Sequence, residues 1–447
     1  MTNKPLFKKI ALASVLGSSM FGIAGTALAS YQAHAPGSLL TYGKSTHAST
    51  IQSITGNPAN SHALLSEGES HRMGYFSSLG LHTETGKVDN FLDDVDELID
   101  ELDRDDLTIN EANAIKARFD ALLPIMGEDA QATLGFGLNV PFLPYVFQSD
   151  TLGGVVTLDI KAQGLFDISF LDSPLEIQTV GGNSSVETDS AMYVKGGSIV
   201  TGSLGYSREV WKPTFVEDST LYAGFQANVY QVSLNKQVLA LSNIDDDEVS
   251  DAIRDEFDEN TVDTTQVGLD LGLFWSMPNG QLGITFANIN EPEFDYGDVG
   301  TNCGAITDAI RQSNCYVAQN RYSNEIDLNE TAVMNAQTTI EGALYTENKN
   351  WLISGAADLN SVYDLVGRES QYLSTSASYF SNSYLIPNFR VGLSKNLAGS
   401  KLTTVGVGTT FFGIMNIDVA ASIEQVEIDG TKVPRYFGFN IGFEEKF

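Results

Sequence analysis

The chain carries 447 residues and a formal net charge of −32, with 57 acidic side chains against 25 basic ones. So acidic a polypeptide repels nucleic acid and attracts cations. Mean hydropathy is near zero, and past the N-terminus no run of about 18 apolar residues occurs, which speaks against a helical membrane protein. The length allows one large barrel or two to three ordinary domains.

The first 29 residues read as a secretory signal peptide. Lys4, Lys8 and Lys9 form a basic region, Ile10 to Ile23 is apolar and small, and Ala27-Leu28-Ala29 fits a cleavage site before Ser30. A short buried helix is the other reading. Removal deletes three lysines and no acid, taking the charge from −32 to −35.

Residues 30–70 are small, polar and poor in strand pattern, and contain Gly56-Asn57-Pro58-Ala59-Asn60. Pro58 holds Asn57 in extended geometry and favours a turn. Such a leader on a barrel either folds back into the lumen as a plug, which satisfies its backbone, or trails as a disordered tail.

From residue 71 onward a period of two dominates. In Thr264 to Met277, Val267, Leu269, Leu271, Leu273 and Trp275 alternate with polar and small residues, and Met415 to Val426 repeats the pattern. The final strand sets Phe437, Phe439, Ile441, Phe443 and Phe447 on one face, opposite Gly438, Asn440, Gly442 and Glu444. Weaker signals near 71–83, 130–140, 153–163, 199–211, 220–235, 281–290, 333–346, 350–361, 371–381, 388–397 and 401–412 bring the total to about fourteen. A parity change at Val229 and Tyr230 suggests a β-bulge. Strands that are apolar outward and polar inward, ending in an aromatic, indicate an all-β transmembrane antiparallel barrel spanning 71–447.

Connection lengths agree with that reading. Alternate connections are short (141–152, 212–219, 278–280, 347–349, 382–387 and 413–414), and the others include 84–129, 164–198, 236–263 and 291–332. Short inner turns with long outer loops suit an outer-membrane barrel; a soluble β-sandwich has no reason to sort loops this way.

The loop at about 88–127 reads as an acidic helical insertion. Phe91, Val95, Leu98, Ile99 and Leu102 recur at helical spacing, as do Ile115, Phe119, Leu122 and Met126, and Thr108 with Glu111 forms a possible capping box. Residues 88–129 hold 14 acids against 3 bases. The bland expectation is solvated helix faces lying over the barrel mouth. The sharper one is carboxylates holding divalent cations that bridge lipopolysaccharide. The loop around Asp245 to Asp263 is also acidic.

Cys303 and Cys315 are the only cysteines. In an exported chain they most simply form a disulfide, stabilising by roughly 3 kcal/mol in the chain-entropy model, two free thiols being the alternative. Trp211, Trp275, Trp351 and Phe447 lie at strand ends, where rings suit the edge of a bilayer.

No GxSxG elbow, Walker loop, HExxH or CxxC is present. The five histidines all lie at or before His82. Asp270, Asp358 and Asp418 take inward parity, the default for a wet bore. Neither catalytic residues nor a metal or cofactor are expected.

The segment SITGNPAN, the acidic stretch FLDDVDELIDELD and the pattern LGFGLNVPFLP make the chain similar to FadL-type outer-membrane transporters, and within them to the conjugal-transfer TraF-like branch. The resemblance implies a plugged barrel of the Gram-negative outer membrane that takes a hydrophobic small molecule from outside and releases it sideways into lipid. It places Asn57, Pro58 and Ala59 in the plug as its gate. The strongly acidic outer loops depart from the apolar ligand-binding loops of that group. The alternative is a structural or interaction barrel docking a surface partner through those loops. The expected partners are outer-membrane lipid and lipopolysaccharide, the hydrophobic ligand, and the barrel-assembly machinery reading the C-terminal strand.

Overall fold

A computed structural model describes residues 35–65, 68–244, 260–381, 383 and 385–445. The signal peptide, most of the acidic loop expected at 245–263, and Phe447 lie outside the described residues.

Alternating polarity fixes which face of each strand meets lipid, and the wall follows from it. The strands in chain order are β1 (His71–Thr85), β2 (Gln131–Asn139), β3 (Tyr145–Ser149), β4 (Gly154–Leu171), β5 (Glu176–Val180), β6 (Asn183–Glu187), β7 (Ala191–Trp211) and β8 (Thr220–Ala240). Next come β9 (Val262–Met277), β10 (Gly280–Ala287), β11 (Glu293–Asp295), β12 (Thr331–Val333), β13 (Gln337–Tyr345), β14 (Trp351–Asp358), β15 (Val362–Tyr363) and β16 (Glu369–Ser370). The last are β17 (Tyr372–Tyr379), β18 (Asn388–Asn396), β19 (Thr403–Phe411), β20 (Met415–Ser422), β21 (Gln425–Ile428), β22 (Thr431–Pro434) and β23 (Tyr436–Glu444). The ring runs β1-β2-β4-β7-β8-β9-β10-β13-β14-β17-β18-β19-β20-β23, and β23 pairs back onto β1 to close it. It is a closed antiparallel barrel of fourteen strand positions. The pairs β5–β6, β11–β12, β15–β16 and β21–β22 are small outer hairpins or ribbons.

The outward sets are exposed, as in Val267, Leu269, Leu271 and Leu273 of β9, while Asp270, Asp358 and Asp418 are buried inside. No helix among the described residues is long and apolar enough to cross a membrane.

One strand position is split. β2 pairs with β4 from Gln131↔Ser169 to Asn139↔Lys161, and β3 resumes at Tyr145↔Leu158. The five residues from Val140 to Pro144 face only Asp159 and Ile160 across the break. Phe142 sits in the left-handed region at φ 68°, and the Leu143–Pro144 peptide is cis. The stretch expected as one inner connection, 141–152, is therefore this interruption, a short strand and a turn.

β4, β7 and β8 extend well past their expected outer ends, because above the lipid both of their faces are covered and alternation no longer marks them. On β8, Phe225 and Val229 point outward, whereas Tyr230, Val232 and Leu234 point inward into a cluster with Phe294, Tyr296 and Leu365. Register is continuous through Val229 and Tyr230, so the bulge expected there is absent; the shift in this pair lies between Glu209 and Trp211. The parity change marks where the strand leaves the membrane.

The helical hairpin forms as expected, with helices Phe91–Leu102 and Ile109–Asp129 and a complete Thr108–Glu111 capping box. Its position differs. Leu98, Phe119, Leu123 and Met126 pack on Phe166, Ile168, Phe170, Met192 and Val194, the outward faces of β4 and β7. The helices cover the outside of the raised wall, not the mouth, because those outward apolar side chains have no lipid to cover them.

Candidate functional site

Inside the ring lies the N-terminal segment, built as a helical turn (Leu39–Tyr42) and two 3-10 turns (Ile51–Thr55 and Pro58–Leu64). Small and polar residues dominate it because its surroundings are hydrogen-bonding groups on the inner wall. Asn57 takes the extended conformation that Pro58 imposes (φ −137°, ψ 112°), and its side chain caps the following turn by accepting from the Ala59 N–H at 3.0 Å.

Two pairs of facing glycines seat this segment. Gly224 on β8 is in register with Gly272 on β9. A Cβ on Gly224 would lie 2.6 Å from Ala59 N, and one on Gly272 would lie 2.1 Å from Asn57 Oδ1. On the other side Gly392 and Gly406 pair, and a Cβ at Gly392 would overlap the Thr41 carbonyl at 1.8 Å. Bare backbone at both places lets the segment approach the wall.

Buried carboxylates fasten it. Glu341 accepts from the Thr46 N–H at 2.5 Å and from the Asn57 amide at 2.9 Å. Asp418 accepts from the Thr41 hydroxyl at 2.5 Å and from Arg390 Nε at 2.7 Å. Glu444 accepts from the Ile51 N–H at 2.6 Å, and Lys44 donates to Asp358 at 2.9 Å. Hydrogen bonds to charged groups are worth roughly 1.5–3 kcal/mol each.

Behind the split strand stands the turn Ile51–Thr55. Ile51 and Ile54 pack with Val146 of β3 and Val155 of β4, and Gln52 reaches Asn139 at 3.3 Å. Backbone groups at the split are satisfied from β1: the Gly74 N–H donates to the Pro144 carbonyl at 3.0 Å, and the Phe142 N–H donates to the Tyr75 carbonyl at 3.1 Å.

Above the segment is a cavity of about 750 Å³. Its floor is Leu39, Leu40 and Lys44, and its roof is the loop 359–371. That loop springs from β14 and β17 and crosses to the far wall. Arg368 pairs with Asp167 on β4, the Tyr296 hydroxyl donates to the Leu365 carbonyl, and Leu365 is buried. Asp364 accepts from the N–H groups of Val366 and Arg368 at 3.0 and 2.7 Å. Burial pushes its carboxyl up to about 7. The lining mixes charged side chains such as Glu84, Asp270 and Arg435 with Leu165, Met334 and Val362.

Of the residues expected from the sequence, Asn57, Pro58 and Ala59 lie together on the glycine seat. Trp211, Trp275 and Trp351 all fall at the inner ends of their strands, with Trp211 and Trp351 half exposed. Cys303 and Cys315 are joined by a disulfide that ties a short turn (Cys303–Ala305) to an outer helix spanning Ala309–Arg321, in which Cys315 lies. Sequence reasoning missed Glu341, Arg390, Glu444 and Arg368. For the first three the available signal was a charge at inward parity in a wall strand; for Arg368 there was none.

Similarity to known proteins is faint in identity and broad in extent. A TodX monoaromatic hydrocarbon channel mutant (deltaS2S3) aligns at 12% identity over 92% of this chain and 99% of its own, with a TM-score of 0.43. The Ralstonia pickettii toluene transporter TbuX aligns at 12% over 96% and 100%, with a TM-score of 0.40. A Pseudomonas aeruginosa FadL homologue aligns at 11% over 94% and 100%, with a TM-score of 0.38. Among curated proteins none matches. The sequence profile of the family described as "F plasmid transfer operon, TraF, protein" matches residues 54–358, more than half of the chain from the Asn57-Pro58-Ala59 element through β14. The chain belongs to that TraF family.

Proposed function

We propose that the protein is an outer-membrane channel that passes small hydrophobic or amphipathic solutes through a plugged barrel. The observation that carries this reading is the split strand at Val140–Pro144 with the turn Ile51–Thr55 directly behind it. A solute held in the outer cavity passes the turn and leaves through the wall into lipid, without crossing the polar inner rim. Asn57, Pro58 and Ala59 hold the fixed part of the plug, and the turn at residues 51–55 is the part that yields. The apolar belt faces outer-membrane lipid, the acidic helices meet lipopolysaccharide through divalent cations, and β23 is the strand that the barrel-assembly machinery takes up.

The test is a Gln52→Cys/Asn139→Cys pair. Oxidative cross-linking should abolish uptake of radiolabelled aromatic and aliphatic probes by cells relying on this protein, with recovery on reduction, while single variants transport normally. Uptake indifferent to the cross-link would end the proposal.

A second reading, a barrel that docks a surface partner, draws on the 14 acids of residues 88–129 and on the family described for the F plasmid transfer operon. Deleting residues 89–128 should then abolish a complex while leaving solute uptake unchanged.

A further inference from the structure

The inner face of the split carries buried polar atoms that make no hydrogen bond within the protein, although Asp159 and Lys161 attract one another across it. Asp159 and Lys161 lie two positions apart on the inward face of β4, Lys161 opposite Asn139 at the end of β2 and Asp159 in the gap before β3 begins. Both are nearly fully buried, at 3% and 2% exposure. The Asn139 amide donates to Asp159 Oδ1 at 3.0 Å, but Asp159 Oδ2 has no hydrogen-bond partner, and neither has Lys161 Nζ. Thr201, directly across from Lys161 on β7, has an unpartnered Oγ1. On the plug side, Gln52 Oε1 and both polar atoms of the Asn60 side chain are also without partners.

Leaving such atoms buried without a hydrogen bond costs roughly 1–3 kcal/mol each, and a site used only by hydrocarbon would have no reason to keep them. A cationic donor and an anionic acceptor on one strand face, roughly 6–7 Å apart along the backbone, complement a group carrying both charges. Immediately outside, Tyr75, Phe142 and Leu158 present apolar side chains to lipid.

We infer that the split in the wall is a head-group site for zwitterionic amphiphiles. A phosphate or carboxylate lies against Lys161 and Thr201, an ammonium lies against Asp159, and the apolar tail passes out between Phe142 and Leu158. The head group takes the place of the Gln52 carboxamide, which is held there by a single long contact of 3.3 Å. This rests on the sideways exit proposed above and names the chemistry that the exit selects.

The full-length protein, purified in a short-chain nonionic detergent, is titrated with dodecyl phosphocholine, dodecyl phosphate and dodecyl maltoside, and bound amphiphile is counted by native mass spectrometry. Dodecyl phosphocholine should be retained about tenfold more tightly than the maltoside. Lys161→Met should erase that preference, and Asp159→Asn should transfer it to dodecyl phosphate. Gln52→Ala should strengthen retention. Heat-modifiable gel mobility confirms that each variant is a folded barrel; should Lys161→Met fail to fold, Thr201→Val, which removes one hydroxyl, should weaken retention several-fold. Equal retention of all three amphiphiles, or a preference unchanged in folded variants, overturns the site. Loss of uptake control by the Gln52–Asn139 cross-link with the preference intact would remove the transport reading and leave the head-group site standing.

Discussion

Gly224 stands directly across from Gly272, and the two bare backbones form the floor on which Asn57, Pro58 and Ala59 rest. A methyl group at Gly224 would sit 2.6 Å from both Ala59 N and the Pro58 carbonyl carbon, all backbone atoms. Gly224→Ala should therefore lift the plug while leaving the wall paired. Overpacking of this kind costs about 1–3 kcal/mol, so the unseated population should rise roughly 5- to 150-fold. Planar-bilayer recording should show more frequent openings, and outer-membrane permeability to bulky antibiotics should rise. Silent membranes would mean that the plug adjusts without moving.

The Asn57 amide and Glu341 form a buried pair at 2.9 Å. Asn57→Ala removes a donor from a fully enclosed carboxylate and removes the cap of the following turn, at a cost of about 1–3 kcal/mol. Limited trypsin digestion in detergent should then cut at Lys44 faster. Glu341→Gln combined with Asn57→Ala should cost less than the sum of the two changes, since they share one contact. Additive effects would show that the pair is not coupled.

Asp364 makes the roof of the cavity sensitive to pH. Its carboxyl is raised from the ordinary 3.8 to about 7 by burial, so the folded loop prefers the protonated acid. Its contribution is complete below about pH 4 and is lost as pH rises through 7. After correction for the intrinsic exchange rate, amide hydrogens of residues 364–368 should exchange more slowly at pH 5 than at pH 8. Asp364→Asn should abolish the difference. Protection that is flat across this range in the native protein would refute the assignment.

Arg368 and Asp167 latch the same loop across the bore, with side chains 17% and 9% exposed. Breaking a largely buried pair strands a charge and costs about 3–5 kcal/mol. With Ser394→Cys as a reporter on the cavity wall, Asp167→Asn should raise labelling by an impermeant maleimide at least roughly tenfold. The charge-reversed pair, Asp167→Arg with Arg368→Asp, should restore slow labelling. Equal labelling in all three would show that the loop does not limit access.

The sequence carries the barrel because lipid enforces a strict rule on every residue it touches. Val267 to Leu273 or Phe437 to Phe443 could not be arranged otherwise without setting polar groups in hydrocarbon. Where that rule lapses, legibility lapses too. Tyr230, Val232 and Leu234 turn inward above the bilayer and imitate a bulge. The outer halves of β4 and β7 look like loop because both of their faces are covered.

The site was only partly readable. Asn57-Pro58-Ala59 declares a turn through proline stereochemistry. The glycines beneath it, on β8 and β9, look like any wall glycine until register brings Gly224 opposite Gly272. Arg368 meets Asp167 across a separation of 201 residues, which no local pattern can announce. The interruption at Val140–Pro144 was hidden because Phe142 and Leu143 resemble the end of a strand.

The backbone at that interruption bonds to both neighbours and to itself: Gly74 donates to Pro144, Phe142 to Tyr75, Val140 to Ile160 and Leu143 to Val140. An interruption framed in this way needs no unzipping of neighbouring strands to exist. On the proposed channel reading, only a short tethered turn has to shift for a solute to pass, and the surrounding cylinder stays intact while it does.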